Sequence, residues 1–516
     1  MTQRGISRFP AIWTSGLGAL MLCVGVLLAH GAYGQARGGT LTIVMTYPIL
    51  GFEPTKLPQA TWMVEEQLYD TLTRQDSHLT PQPRLAASWE FSADKLSLTL
   101  HLRKNVKFSD GSPFTAKSVV DIIKVYKDPA AASPIIGLIN LIASADAPDD
   151  GTLVLHFARP VSNIFDTLDL LFLAKAQPIG DLDHKPIGLG PFWLQEYVQN
   201  DHATFVRNPY YWNADAVKLD RIVLRNAPDP QTAVLTFESG QADMIYGVPF
   251  TELKRLRAAS DVTVEQVGEG SLVNAFALNV SRKPFDDERV RQAIALAMDR
   301  AAFVQSYFAG ASNAWCLPWR PGTPAYDATP ELARNCPFDL AKAKSLLATA
   351  GYPNGFSTSV LTSDGTWPGS SAAAKILQAN LAKIGVTLNI DQAEPGLAVS
   401  RYVKSDFDMA SQVYGRSNRS PATLFRGALP WRATNGATRY SSPQYSELVD
   451  AIETTTDEAK LSQLYKQINP LILNASWMVT IAPQYQVFAF KKKRVSGFTA
   501  NIDGFPILEI TSLLAQ

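Results

Sequence analysis

The chain has 516 residues, with 47 lysine and arginine against 47 aspartate and glutamate, six histidines and three cysteines. Zero formal net charge argues against a nucleic-acid partner, which would want a basic face, and the length calls for two or three lobes rather than one core. Hydrophobic residues make up 46% of the chain, including 10 Trp, 17 Tyr and 24 Phe, enough for filled cores and an aromatic-lined site.

Arg4 and Arg8 precede an unbroken apolar run from Gly16 to Ala29, and Ala32-Tyr33-Gly34 then offers small residues for cleavage. This is the pattern of a signal peptide, expected over residues 1–36 with cleavage near Gly34 or Ala36 and a periplasmic destination. Cys23 follows Met21-Leu22 inside the apolar run, not the setting of a lipid-anchored cysteine, and is expected to leave with the signal. No later stretch approaches the roughly 20 apolar residues of a membrane span. Cys316 and Cys336 remain, and an even pair in an exported protein reads as a disulfide closing a loop worth about 3 kcal/mol. Two unpaired buried thiols are the alternative.

In chain order, Gly39–Met45 alternates as a strand and runs into Tyr47-Pro48. Leu96–Leu102 alternates too, Asp110-Gly111 is a turn, and Ala116–Lys127 has helical spacing. Leu153–Phe157 is a short strand and Asn163–Leu173 an apolar helix. Gly188 and Gly190 suit a close passage of backbone, and the Tyr210-Tyr211-Trp212 group reads as core. In the second half, Asp286-Asp287-Glu288 opens a helix with Val290, Ile294, Ala297 and Ala301 on one face. Asp339 caps a helix that stops at Gly351, and Ser371–Ile384 ends at Gly385 before the strand Val386–Ile390. Ser442-Pro443 and Asp457 start two more helices, and Pro470 should bend or end the last. Helix and strand in alternation mean α/β architecture.

Whole phrases carry a family resemblance: LTLHLRKNVKFSDGSPFTAKSVV from Leu98, GLGPFWLQEY from Gly188 with the later NPYYW, FESGQADMI from Phe237, FALNVSRKPFDDERVRQAIALAMDR from Phe276, and DLAKAKSLLATAGYPNG from Asp339. In this order, over nearly the whole mature chain, they resemble the extracellular solute-binding proteins of peptide- and nickel-type ABC importers (family 5). The resemblance implies a type II periplasmic-binding clamshell of two α/β lobes plus an inserted third. Lobe I would comprise residues 37–84, 186–271 and 485–516, the insertion 85–185, and lobe III 272–484. It further implies a monomer that encloses a small solute and hands it to ABC permease subunits in the inner membrane, with no cofactor and no metal.

Mapped segment by segment, the resemblance places Tyr47, Asn274, Trp367, Tyr414, Arg416, Asn418, Trp431 and Asn435 at the cleft. Peptide-binding relatives hold the ligand's ammonium with an aspartate in the loop matching Tyr414–Pro421, and no aspartate stands there. From Met409 to Ser446 the chain has no acid at all, but Arg416, Arg419, Arg426, Arg432 and Arg439 supply five guanidinium groups. Guanidinium matches carboxylate or phosphate, so Arg416, Arg419 and Arg432 join the candidates and the ligand is expected to be anionic or rich in acceptors. Arginines paired with acids of another lobe, or a neutral sugar conjugate stacked on Trp367 and Trp431, are the alternatives.

An exported enzyme is the rival class. Neither a Gly-x-Ser-x-Gly elbow nor a His-Glu-x-x-His helix is present, and the histidines beyond the signal are His78, His101, His156, His184 and His202. A triad or histidine metal site spanning the lobes is therefore hard to build, and no catalytic residue is expected. A chemosensory or chaperone role would share the fold.

Overall fold

A computed structural model describes residues 35–36, 38–56 and 62–514. Of the expected signal segment, residues 1–36, the part through Gly34 lies outside the described residues, and Gln35–Ala36 is a short strand paired with Leu514 and Leu513. No described helix is long and apolar enough to cross a membrane.

The organising feature is a ten-stranded mixed sheet. Its order is Thr387–Gln392, Ser357–Thr362, Met409–Gly415, Val262–Leu278, Met478–Lys491, Met244–Tyr246, Thr40–Met45, Arg221–Asn226, His202–Arg207 and Phe192–Val198. Parallel trios stand toward both ends, 387–392 with 357–362 and 409–415, and 244–246 with 40–45 and 221–226. The long antiparallel strands Val262–Leu278 and Met478–Lys491 join them. Alternate residues on these strands face different cores: Ile43 and Met45 enter one apolar cluster and Val44 another. Likewise Val273, Ala275 and Ala277 enter one cluster, and Phe276 and Leu278 a third. Burial on both faces explains the apolar runs in these strands.

Within the two long strands the register breaks. Val267 pairs with Gln486 and Leu272 with Gln484, so Gly268–Ser271 bulges out opposite Tyr485 alone. Gly268 and Gly270 take φ of +71° and +78° there, a region open to glycine. A bulge of this kind bends a strand.

A separate four-stranded antiparallel sheet, ordered Ala86–Phe91, Ser97–Leu102, Thr152–His156 and Ser144–Asp149, is packed by the helix Ala116–Lys127. Ala116, Val119, Ile122, Ile123 and Tyr126 form its buried stripe. This unit shares a core with the Thr40–Met45 end of the large sheet. At its exit, a Cβ on Gly188 would sit 2.0 Å from the Leu68 carbonyl oxygen, so only glycine lets the chain pass.

Two expected helices differ. The helix opened by Asp287 ends at Ala297, because Asp299 caps a second one, Arg300–Tyr307, by accepting the Ala302 N–H at 2.9 Å. Ala301 therefore leaves the shared face and is exposed. Pro470 does not end its helix, which runs from Glu458 to Ala475. The carbonyl that loses its donor belongs to exposed Lys466, where water can serve it, and buried Tyr465, Ile468 and Ile472 hold both sides of the proline.

Candidate functional site

In open α/β sheets a ligand site forms outside the carboxyl ends of parallel strands. Those ends here carry Thr46-Tyr47 and Gly247 from one trio, and Ser363–Gly369 and Arg416–Ser420 from the other. Asn274 and Gln484, on the two joining strands, both donate to the Pro368 carbonyl, at 2.9 and 2.8 Å, and Gln484 also donates to the Asn274 side-chain oxygen at 2.9 Å. They fix the Ser363–Gly369 loop to the strands.

Trp367 in that loop is 6% exposed, its ring edge-on to Tyr402 at 5.4 Å within an apolar cluster. Tyr47 is half-buried with its ring 5.0 Å from Tyr246, and burial raises its phenol pKa. Tyr414 and Trp431 lie 5.5 Å apart, both buried, and the Tyr414 hydroxyl is 3.3 Å from the Thr480 hydroxyl.

Beyond Tyr414 the chain turns through Arg416, which takes φ +75°. Its guanidinium is buried against Gly427, Nε has no partner, and burial pulls its pKa down to about 10. Asn418 donates to the Ile502 carbonyl at 2.7 Å and to Asp503 at 3.1 Å. Arg419 reaches Asp169 at 2.8 Å and Asp166 at 3.5 Å and bonds Asp503, and these carboxylates raise its pKa. Arg432 is half-buried, donates to the Arg426 carbonyl at 3.1 Å and lines a cavity of about 530 Å³ with Arg159 and Glu453. Asn435 is exposed at φ +54°.

Of the sequence candidates, Tyr414, Arg416, Asn418, Arg419 and Trp431 thus converge on one loop, and Asn274 and Trp367 meet at the neighbouring one. No side-chain hydrogen bond or ion pair links Tyr47, Arg432 or Asn435 to either set among the described residues. A cavity of about 970 Å³ beside the bulge is lined by none of the ten; Arg74, Glu265, Glu269, Arg320 and Tyr485 are among its walls. Arg320 donates to the Ser77 carbonyl at 2.7 Å and makes no ion pair among the described residues. Sequence reasoning missed it, and missed Asp166, Asp169 and Asp503. The one local signal was two acids, three residues apart, in the otherwise apolar Asn163–Leu173 segment.

Cys316 and Cys336 are bonded in the structure, with Cα atoms 5.3 Å apart.

The family model of bacterial extracellular solute-binding proteins, family 5, matches residues 80–435. The chain is 27% identical over 469 residues to the glutathione-binding protein GsiB of Escherichia coli (strain K12), covering 87% of this chain and 88% of that one. It is 27% identical over 495 residues to heme-binding protein A of Haemophilus influenzae, covering 88% and 89%. Two solved structures are each 25% identical and cover 93% of this chain and 99% of the other. They are the periplasmic binding protein DppA of Helicobacter pylori in complex with the peptide STSA, with a TM-score of 0.80, and AgaA of A. tumefaciens R10 in complex with agropinic acid, at 0.79. The fold is therefore the family's clamshell of two α/β lobes with an inserted third, and members of the family are transport components rather than enzymes. The chain belongs to the bacterial extracellular solute-binding proteins of family 5, the periplasmic solute-binding components of ABC importers.

Proposed function

We propose that this protein captures an anionic or acceptor-rich small solute, rather than a peptide anchored by its amino group, and delivers it as a monomer to permease subunits in the inner membrane. In this reading residues 37–84, 186–271 and 485–516 form lobe I, 85–185 the insertion and 272–484 lobe III. The solute lies between the lobes against Arg416, Tyr414, Trp367 and Asn274, with the other sequence candidates at its margin.

The observation that carries the reading is a pair of buried donors without acceptors on the segment that leads into the Arg416 turn. Gln412 Nε2 and Arg416 Nε are both buried and unpartnered among the described residues. Each such donor costs about 1–3 kcal/mol when left unmade, which an acceptor on a solute would recover. Arg416 also makes no ion pair among the described residues, and a pKa near 10 keeps it charged at neutral pH. GsiB is named for glutathione, which carries two carboxylates, and AgaA holds agropinic acid. The carboxylates of both would suit Arg416, although glutathione also carries an ammonium. Stacking of a sugar on Trp431 is less well supported, because that ring is fully buried between Tyr414 and Trp477.

The test is a thermal-shift panel of acids, sugars, amines, peptides and metal chelates, followed by titration calorimetry with wild type and Arg416→Ala. An acid should raise Tm and lose at least tenfold in affinity in the variant. A cationic or amine-anchored ligand bound equally by both proteins would refute the charge argument.

A further inference from the structure

Arg419 is 2% exposed, and the side chains of Asp166, Asp169 and Asp503 around it are 2, 8 and 2% exposed. Three buried carboxylates thus face one guanidinium, two from the segment 166–169 and one from Asp503. One of them is poorly compensated: burial, with Asp503 adding to it, holds the Asp169 carboxyl up at about 6 in spite of Arg419. Such an excess of buried negative charge is costly unless a cation fills it. A second feature points the same way. The side-chain oxygen of Asn418, a residue 1% exposed whose amide donates to Asp503, is a buried acceptor without a partner.

We propose that Arg419 is a tethered occupant of an acidic pocket formed by Asp166, Asp169 and Asp503, and that by filling it Arg419 makes the site refuse a solute's ammonium or guanidinium group. The inference deepens the reading above, since it identifies what excludes amine-anchored solutes, but its chemistry can be tested without knowing the natural solute. Asp503 accepts from one terminal nitrogen of Arg419, and Asp169 and Asp166 stand 2.8 and 3.5 Å from the other, so negative charge faces the planar group on more than one side, which suits a guanidinium better than a point-charge ammonium. Asp166 is held in place independently of Arg419 by the Thr423 hydroxyl at 2.6 Å and the Ser420 N–H at 3.1 Å. Loss of the arginine therefore leaves that wall of the pocket standing.

Chemical complementation tests this directly. Arg419→Gly should melt below wild type, and millimolar methylguanidinium should raise its Tm saturably by about 2 °C. Equal sodium chloride should not, and wild type should not respond. Ethylammonium should act more weakly, and Arg419→Gly with Asp503→Asn should lose most of the response. A folded Arg419→Gly protein that ignores methylguanidinium, or responds no more than wild type, overturns the proposal. If the variant does not fold unaided, its refolding yield from urea must rise with methylguanidinium and not with salt, and a flat yield overturns the proposal equally. Because no natural solute enters, failure here leaves the Arg416 test above intact.

Discussion

The bulge at Gly268–Ser271 yields a quantitative prediction. A Cβ on Gly268 would lie 2.7 Å from the Asp503 carbonyl oxygen and 2.8 Å from the Gly504 Cα, both backbone atoms that cannot rotate away. Gly268→Ala therefore combines two costs: about 1–2 kcal/mol for an alanine at φ +71°, and about 1–3 kcal/mol for forcing atoms into occupied space. Gly240 supplies the control, since it takes φ +78° with nothing within 4 Å of the added atom. Gly240→Ala should lose only the conformational share. Urea unfolding followed by tryptophan fluorescence should thus place Gly268→Ala about 2–5 kcal/mol below wild type and Gly240→Ala about 1–2 kcal/mol below. The displaced segment also holds Asp503 against Arg419, so binding of any confirmed solute should weaken in Gly268→Ala alone. A Gly268→Ala protein no less stable than Gly240→Ala would refute the claim that the bulge is packed against the Asp503 loop.

Arg416→Met should raise the Tm of the ligand-free protein, by removing a desolvated guanidinium with an unmade Nε bond, and should weaken solute binding, both read by calorimetry. Glu65 is fully buried, neither carboxylate oxygen has a partner, and burial holds its pKa well above 4.5. The folded protein therefore binds a proton that the unfolded chain releases, and stability falls as pH rises from about 4.5 until the folded value is passed, by about 1.4 kcal/mol per pH unit. Glu65→Gln should make that slope shallower by this amount in unfolding curves between pH 5 and 6, and an unchanged slope would refute it. The intact mass of the exported chain should lack two hydrogens for Cys316–Cys336, and Cys316→Ser with Cys336→Ser should lose about 3 kcal/mol; two readily labelled thiols would contradict the bond. Solution scattering should show a more compact particle once a verified solute saturates the protein, and identical profiles would count against closure of the proposed lobes.

Local chemistry was readable wherever a single side chain decides the outcome. Asp287, Asp339, Ser442 and Asp457 each accept an N–H from the first turn of the helix they precede, and Gly351 and Gly385 take the positive φ of helix ends. Asp299 was missed because the apolar spacing continues across it. That Pro470 does not end its helix depends on whether the carbonyl four residues earlier meets water, a tertiary property. The sheet order, in which Thr40–Met45 sits between Met244–Tyr246 and Arg221–Asn226, has no local signal. The phrases shared with the family supplied the architecture instead.

The site shows the same division more sharply. An acid-free stretch of sequence says nothing about which acids arrive from elsewhere, and Arg419 and Arg426 are met by Asp166, Asp169, Asp503 and Glu453, none of them inside that stretch. Five guanidiniums therefore do not add up to five positive charges facing a solute. Arg416 differs because of its backbone: the left-handed turn at φ +75° sends its side chain under Gly427, where nothing larger than a hydrogen would fit. Two arginines three residues apart thus take opposite roles. One is neutralised by the protein's own carboxylates and holds distant segments together; the other is kept desolvated and charged without an ion pair among the described residues. A buried charge without a partner is unfavourable in the empty protein, and it is this imbalance, rather than the number of arginines, that makes an acidic group the natural counterpart for the cleft.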